Sequence, residues 1–257
     1  LVLEFMAEYG LQDLEGVGNA IIGKSETAMR EAIRRSPDGI YKNRMQIEGL
    51  SGPLALACAC SVADGGIVVD FAGSDPIVAG AINVPFCYTR AMAIFALRLL
   101  TVPNLPANEG SVQPLRFSAP ENCVLNALPP APTAGRHVVG HYVTPLVMGA
   151  FADALPERVQ AQSGMLDLVN IQGKVAEGRE MSNMFFASGG YGAMDAMDGL
   201  PTLATPASVK VTPIEVWEAL TGIAIESKRL LPDSGGAGRY RGGLGQEVVM
   251  RNDPGYH

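Results

Sequence analysis

LALACACSVADGGIVVDF, residues Leu54 to Phe71, decides what kind of fold this chain can form. Two strand-like runs, Leu54 to Val62 and Ile67 to Phe71, flank Ala63-Asp64-Gly65-Gly66. Asp-Gly between such runs is the signature of a tight β-hairpin, because both residues tolerate the positive φ that the turn demands. Cys58 and Cys60 fall on one face of the first strand and read as small core residues.

Upstream, Ile40 to Ile47 predicts another strand, opened by the turn Pro37-Asp38-Gly39. Before it, apolar residues recur at helical spacing over Leu1 to Tyr9 and over about Gly18 to Ile33, with Ile21, Ile22, Met29 and Ile33 near one stripe. Downstream, Phe86 to Leu100 and Val143 to Leu155 are rich in small apolar residues and predict core helices buried almost all round. The Pro- and Asn-rich stretch between them, Val102 to Gly135, predicts loops and short strands.

Beyond Pro156, strands are expected at Met165 to Ile171 and Glu180 to Ala187, the latter closing on the glycine cluster from Gly189 to Ala193. Thr212-Pro213-Ile214-Glu215 offers an N-cap threonine, a proline at the first helical position and a glutamate three after the cap, starting a helix through Trp217 to about Leu220. Gly222 to Leu231 and Gln246 to Arg251 then predict two strands around a glycine-rich loop. The expected class is α+β, with mixed β-sheets and buried helices and a sub-boundary near residues 156–165.

Composition removes several function classes. With 257 residues, 47% hydrophobic and 18% charged, the chain has the make-up of a globular protein, and it lacks the run of about 18 apolar residues that a membrane span requires. A formal net charge of -7 argues against a phosphate-backbone footprint, so neither nucleic acid nor membrane is expected as partner. The four cysteines form no C-x-x-C pair and no disulfide framework, which points to a reducing cytoplasm. No secretory leader is evident, and both ends are expected to lie inside a longer subunit.

GNAIIGKS, Gly18 to Ser25, matches the phosphate-loop pattern in full. That loop works only when a buried strand feeds it and its amides turn inward on a phosphate. Here the preceding residues are polar and helical periodicity runs straight through, so a helix is expected instead. His137 and His141 stand four apart, but Gly140 and the lack of an intervening glutamate weaken a metal reading, and no metal ligand is assigned.

The most distinctive run is Asp233 to Gly245, DSGGAGRYRGGLG, with six glycines in thirteen positions. Glycine permits positive φ and close approach of backbone N–H groups, and Arg239 and Arg241 add charge suited to a carboxylate or phosphate. A tight structural corner and an anion clamp satisfy the pattern equally well.

This run resembles the glycine-rich signature of hydantoinase B/5-oxoprolinase family subunits. Other blocks agree in the same order: SPDGIY at Ser36, VVDFAGSD ending at Asp75, AGAINVPF around Asn83, and LPANEGSVQPLRFSAPENCVLN from Leu105. PAPTAGR to Arg136, ALPERVQAQSG from Ala154, GGYGAMDAMDG from Gly189 and PIEVWE from Pro213 follow.

The resemblance implies part of a larger multidomain subunit that opens cyclic amides such as 5-oxoproline or hydantoins at the expense of ATP. ATP is expected on an A-type partner subunit or domain, and a divalent metal, if used, on ligands outside this chain. Under that reading Asp70, Asp233 and Arg241 are the catalytic candidates. Ser234, Gly235, Gly236, Arg239, Asn83 and Arg136 are candidates for holding the substrate or an anion. Asp195 and Asp198 are weaker acid or base candidates, Asp198-Gly199 being a common turn pair. Two alternatives remain open: a ketone-carboxylase-type subunit of the same superfamily, and a non-catalytic scaffold for an ATP-using partner.

Overall fold

The computed structural model describes residues 1–164, 166–174, 178, 180–203 and 212–252. The chain divides into two compact units, Leu1–Pro156 and Glu157–His257. Both mix helices with antiparallel strands, and the class is α+β.

The first unit is built on the sheet β1 (Gly39–Ile47), β2 (Leu54–Ala63), β3 (Gly66–Asp70) and β4 (Leu115–Ser118), in that order. The first three form an antiparallel meander, and β4 lies parallel to β3. Asp64 and Gly65 take φ of 52° and 69°, so the β2–β3 hairpin turns on the two positive-φ residues that its Asp-Gly pair predicts. Along β2 every second residue is buried, and Leu54, Leu56, Cys58, Cys60 and Val62 share the core face.

Helices α1 (Val2–Glu8), α2 (Glu15–Arg34), α3 (Phe86–Thr101), α4 (His137–Gly140) and α5 (Val143–Ala150) complete this unit. α5 packs on β1 and β2, and its Leu146 carbonyl accepts from Asn43 Nδ2 at 2.9 Å and from the Cys58 thiol at 3.5 Å.

Three expectations need correction here. α2 starts three residues before Gly18, because Asp13 Oδ1 accepts the Glu15 amide at 2.9 Å and Leu14 supplies the carbonyl that Gly18 needs. α3 is not buried all round: Thr89, Ala93, Ala96, Leu97 and Leu100 form one buried stripe, while Phe95 and Arg90 face outward. α5 ends at Ala150 rather than Leu155. The next residues wind on only as turns, with Leu155 N–H bonded to Phe151, until Pro156 removes the donor that another turn would need.

The second unit holds the hairpin β5 (Leu166–Lys174) and β6 (Glu180–Ser188), helix α6 (Ile214–Thr221), and the hairpin β7 (Ile223–Leu230) and β8 (Gln246–Asn252). Trp217 of α6 is buried edge-on against Phe185 of β6, with ring centroids 5.0 Å apart. Gly222 closes α6 at φ 70°. The expected cap shifts by one position: the Pro213 carbonyl accepts the first helical bond, from Trp217, so Pro213 rather than Thr212 is the N-cap and no side chain caps the helix.

Candidate functional site

The run from Asp233 to Gly245 separates into a knitted base and a tip crossed by the backbone bond from Gly242 N–H to the Gly236 carbonyl. At the base, Arg241 donates its amide to Asp198 Oδ1 at 2.8 Å and accepts from Gly199 N–H at 2.7 Å. Gly243 N–H bonds to Tyr191 and Thr202 N–H to Leu244. Ser234 Oγ donates to Leu231 and accepts from Gly245 N–H at 2.8 Å, which pins the two ends of the loop together.

Glycine is required where these backbones touch. A Cβ on Gly243 would lie 2.1 Å from the Leu200 carbonyl oxygen, one on Gly190 1.7 Å from that of Gly243, and one on Gly235 2.3 Å from that of Gly242. Gly236 differs, since nothing lies within 4 Å of its Cβ position.

At the tip, the amides of residues 235–240 have no acceptor among the described residues. Asp233, Arg239 and Arg241 are all exposed there. The Arg239 guanidinium lies 5.5 Å from the Tyr240 ring centre. Arg241 Nη2 stands 3.9 Å from Asp233 Oδ1, an ion pair loose enough to open toward another anion.

The remaining candidates belong to the first unit. Asp70 closes β3, where its Oδ1 accepts from Ser118 Oγ at 3.0 Å and from the Ala72 amide at 3.2 Å. Asn83 is fully buried, and its amide is spent on backbone: Oδ1 accepts from Val78 N–H, and Nδ2 donates to Val78, Gly80 and Pro132. It fixes a loop and is sealed from solvent, so it presents nothing to a ligand in this conformation.

Arg136 is exposed and lies 6.0 Å from the Tyr88 ring centre. Tyr88 packs where only a glycine fits, since a Cβ on Gly140 would come within 2.3 Å of its ring. The imidazoles of His137 and His141 have centres 6.2 Å apart. Burial holds both below the ordinary histidine pKa, with help from the Arg136 charge at His137 and from His137 at His141. No group of three or more His, Cys, Asp or Glu that could hold a metal occurs among the described residues.

Gly18 to Ser25 lies inside α2, where its amides serve the helix. Ser25 is buried and accepts from Asn108 Nδ2 at 2.8 Å. The Cys60 thiol is pushed far up, mainly by its hydrogen bond with Cys58 and by burial, and is no nucleophile. No helix among the described residues is long and apolar enough to cross a membrane.

Sequence reasoning did not find the structural part that Asp198 plays, and it passed over Lys228 and Gln246. Asp198, read mainly as a turn former, anchors Arg241. Lys228 and Gln246 share one face of the β7–β8 hairpin, opposite Val248 and Leu230 respectively, which only the strand register reveals.

Residues 1–255 match the family described as Hydantoinase B/oxoprolinase. The B-type subunit of a putative D-/L-hydantoinase from Pseudomonas sp. (strain NS671) is 29% identical over 95% of this chain and 43% of its own length. Among solved structures, the ATP-dependent caprolactamase from Pseudomonas jessenii superposes with a TM-score of 0.85 at 25% identity, over 98% of this chain and 45% of that one. An acetone carboxylase solved without nucleotide superposes with a TM-score of 0.81 at 18% identity, over 97% of this chain and 36% of that one, a likeness of fold alone. The chain thus spans less than half the length of these relatives.

Proposed function

The chain belongs to the hydantoinase B/oxoprolinase family, and from that premise we propose that it is part of an ATP-dependent hydrolase of cyclic amides. It acts beside an A-type subunit or domain that binds ATP. The observation that carries this reading is the match of residues 1–255 to the family, joined to the likeness to an ATP-dependent caprolactamase.

The chemistry explains why two parts are needed. An amide carbonyl is a poor electrophile. Transfer of a phosphoryl group from ATP to its oxygen makes the carbon a far better electrophile; one water adds to that carbon, the ring C–N bond breaks to give the amine and an acyl phosphate, and a second water hydrolyses the acyl phosphate to carboxylate and phosphate. The part that handles the activated amide must hold an anion and orient water.

In this chain the amides of residues 235–240, which have no acceptor among the described residues, are suited with Arg239 and Arg241 to the anion. Ser234, Gly235 and Gly236 shape that loop, and the orienting of water or the acceptance of a proton is assigned to Asp233 and to Asp70, each within its own unit. Arg136 is a second exposed cation, whereas Asn83 acts by fixing the loop beneath it. ATP and any divalent metal are assigned to the rest of the assembly.

The test is an assay of the full-length complex with 5-oxoproline, hydantoin and caprolactam. ATP consumption in step with ring opening of at least one of them is expected, together with a loss of about tenfold or more in Arg241→Ala. Ketone-dependent ATP consumption with no ring opening would overturn the proposal in favour of a carboxylase.

A further inference from the structure

His137 opens α4 and His141 is its C-cap, one helical turn further on. The turn is closed, because the His141 amide donates to the His137 carbonyl at 3.1 Å and His141 keeps right-handed helical torsions. Residues four apart on such a turn project from one face, so both imidazoles leave the helix on the same side. Their ring centres lie 6.2 Å apart. Gly140, which on sequence grounds weakens a helix here, sits inside it: a side chain at that position would strike the Tyr88 ring, and the Gly140 amide donates to the Arg136 carbonyl at 2.8 Å. The one-turn spacing that the sequence leaves open is thus realised in the fold.

The ring nitrogens are also uncommitted. Neither imidazole makes a side-chain hydrogen bond or an ion pair among the described residues, and both side chains are partly exposed, within reach of an ion from solution. Burial, with the neighbouring charges, holds both below the ordinary histidine pKa, so at neutral pH each ring is uncharged and keeps a lone pair. Arg136 opposes a cation, since its charge is felt at His137. Its guanidinium lies 6.0 Å from the Tyr88 ring centre and occupies neither imidazole.

We propose that His137 and His141 chelate a late first-row divalent transition cation, of the class of Ni²⁺, Cu²⁺ and Zn²⁺, with water in the remaining positions. Imidazole suits these ions, whereas Mg²⁺ and Ca²⁺ take oxygen ligands. An ion about 2.0–2.1 Å from one nitrogen of each ring holds the ring centres about 5 Å apart. Rotation about the torsions of two partly exposed side chains closes the difference of about 1 Å. Two protein ligands, in place of the four of a structural zinc site, make this an exchangeable site open to a further donor. The proposal stands apart from the ring-opening reading, because binding is read on this chain without ATP, substrate or partner, and any metal serving that chemistry lies elsewhere.

The experiment uses the 257-residue chain carrying Cys87→Ser and His257→Gln, which removes the exposed thiol and leaves His137 and His141 as its only histidines. After chelator treatment it is titrated by calorimetry with nickel chloride, with and without excess Mg²⁺, and its one-to-one copper complex is read by electron paramagnetic resonance. Saturable one-to-one Ni²⁺ binding that Mg²⁺ does not displace is expected, with Cu²⁺ binding tighter still. The copper spectrum should show two imidazole nitrogens. His137→Gln and His141→Gln should each weaken Ni²⁺ by about tenfold or more. Circular dichroism identifies any variant that has not folded, and the copper spectrum of the intact pair decides independently of these two substitutions. Absence of saturable Ni²⁺ binding overturns the proposal, as does its displacement by Mg²⁺. So does a copper spectrum with fewer than two imidazole nitrogens, or Ni²⁺ binding left unweakened in both folded variants.

Discussion

The carboxylate of Asp198 accepts the backbone amide of Arg241 at 2.8 Å, and so one side chain outside the glycine-rich run sets where that run's second arginine begins. The other half of the contact is the Gly199 amide on the Arg241 carbonyl at 2.7 Å. Asp198→Ala removes the acceptor and leaves the loop base held on one side. A loss of about 1 kcal/mol is expected for so exposed a bond, with faster hydrogen exchange at the Arg241 and Gly199 amides. Asp198→Asn keeps an oxygen acceptor and should fall between. Unchanged exchange at both amides in Asp198→Ala would show that the pairing does not organise the loop.

The glycines of the run divide by what surrounds them. Gly243→Ala places a Cβ 2.1 Å from the Leu200 carbonyl oxygen, and Gly190→Ala places one 1.7 Å from that of Gly243. Backbone on both sides must move, so each should destabilise the second unit by about 2 kcal/mol or more. Gly236→Ala enters open space at an ordinary φ and should stay within about 0.5 kcal/mol of the parent. Thermal melts of the three variants check this directly, and a Gly236→Ala melt as low as that of Gly243→Ala contradicts it.

That division marks where the sequence stops being legible. The β2–β3 hairpin could be read because Asp64-Gly65 and the alternation of Leu54 to Val62 are local signals, and α2 because its periodicity overrode the phosphate-loop pattern. Glycine carries no record of why it is there: Gly236 and Gly243 look alike in the run, and only the Leu200 backbone, more than forty positions upstream, separates them. The same limit hid the bond from Gln246 to Ser188, since these residues meet only where two separate hairpins, distant in sequence, pack together. Asn83 was legible as a polar residue in a family block, but its burial beneath Pro132 was not.

Asn83 offers a sharper stability test. Replacement by Ala takes the partner from the Val78 amide and from the carbonyls of Val78 and Pro132, and leaves the Gly80 carbonyl with the Ile82 amide alone. Buried backbone groups without partners are expensive, and the expected loss is about 2–4 kcal/mol. Asn83→Asp should do no better, because it trades two donors for a charge facing three carbonyl oxygens. Urea unfolding with an unchanged midpoint in both variants would place Asn83 back among the residues free to meet a ligand.

The His137 and His141 pair predicts how the first unit responds to acid. Burial comes first among the causes that depress both imidazoles, followed by Arg136 at His137 and by His137 at His141. Their folded-state pKa values therefore lie below the unfolded value of about 6.5. As pH falls, the unfolded chain takes up these protons before the folded one does. The contribution is complete above about pH 6.5 and is lost as pH drops through that value toward the folded-state pKa. Carboxylates elsewhere titrate in the same direction at lower pH, so the comparison must be with a variant. His137→Gln combined with His141→Gln should reduce the drop in urea midpoint between pH 7.5 and 5.5, in chelator-treated protein. An identical drop in parent and variant would mean that the two rings are solvated in the folded chain as well as in the unfolded one, and that the burial assigned to them is absent in solution.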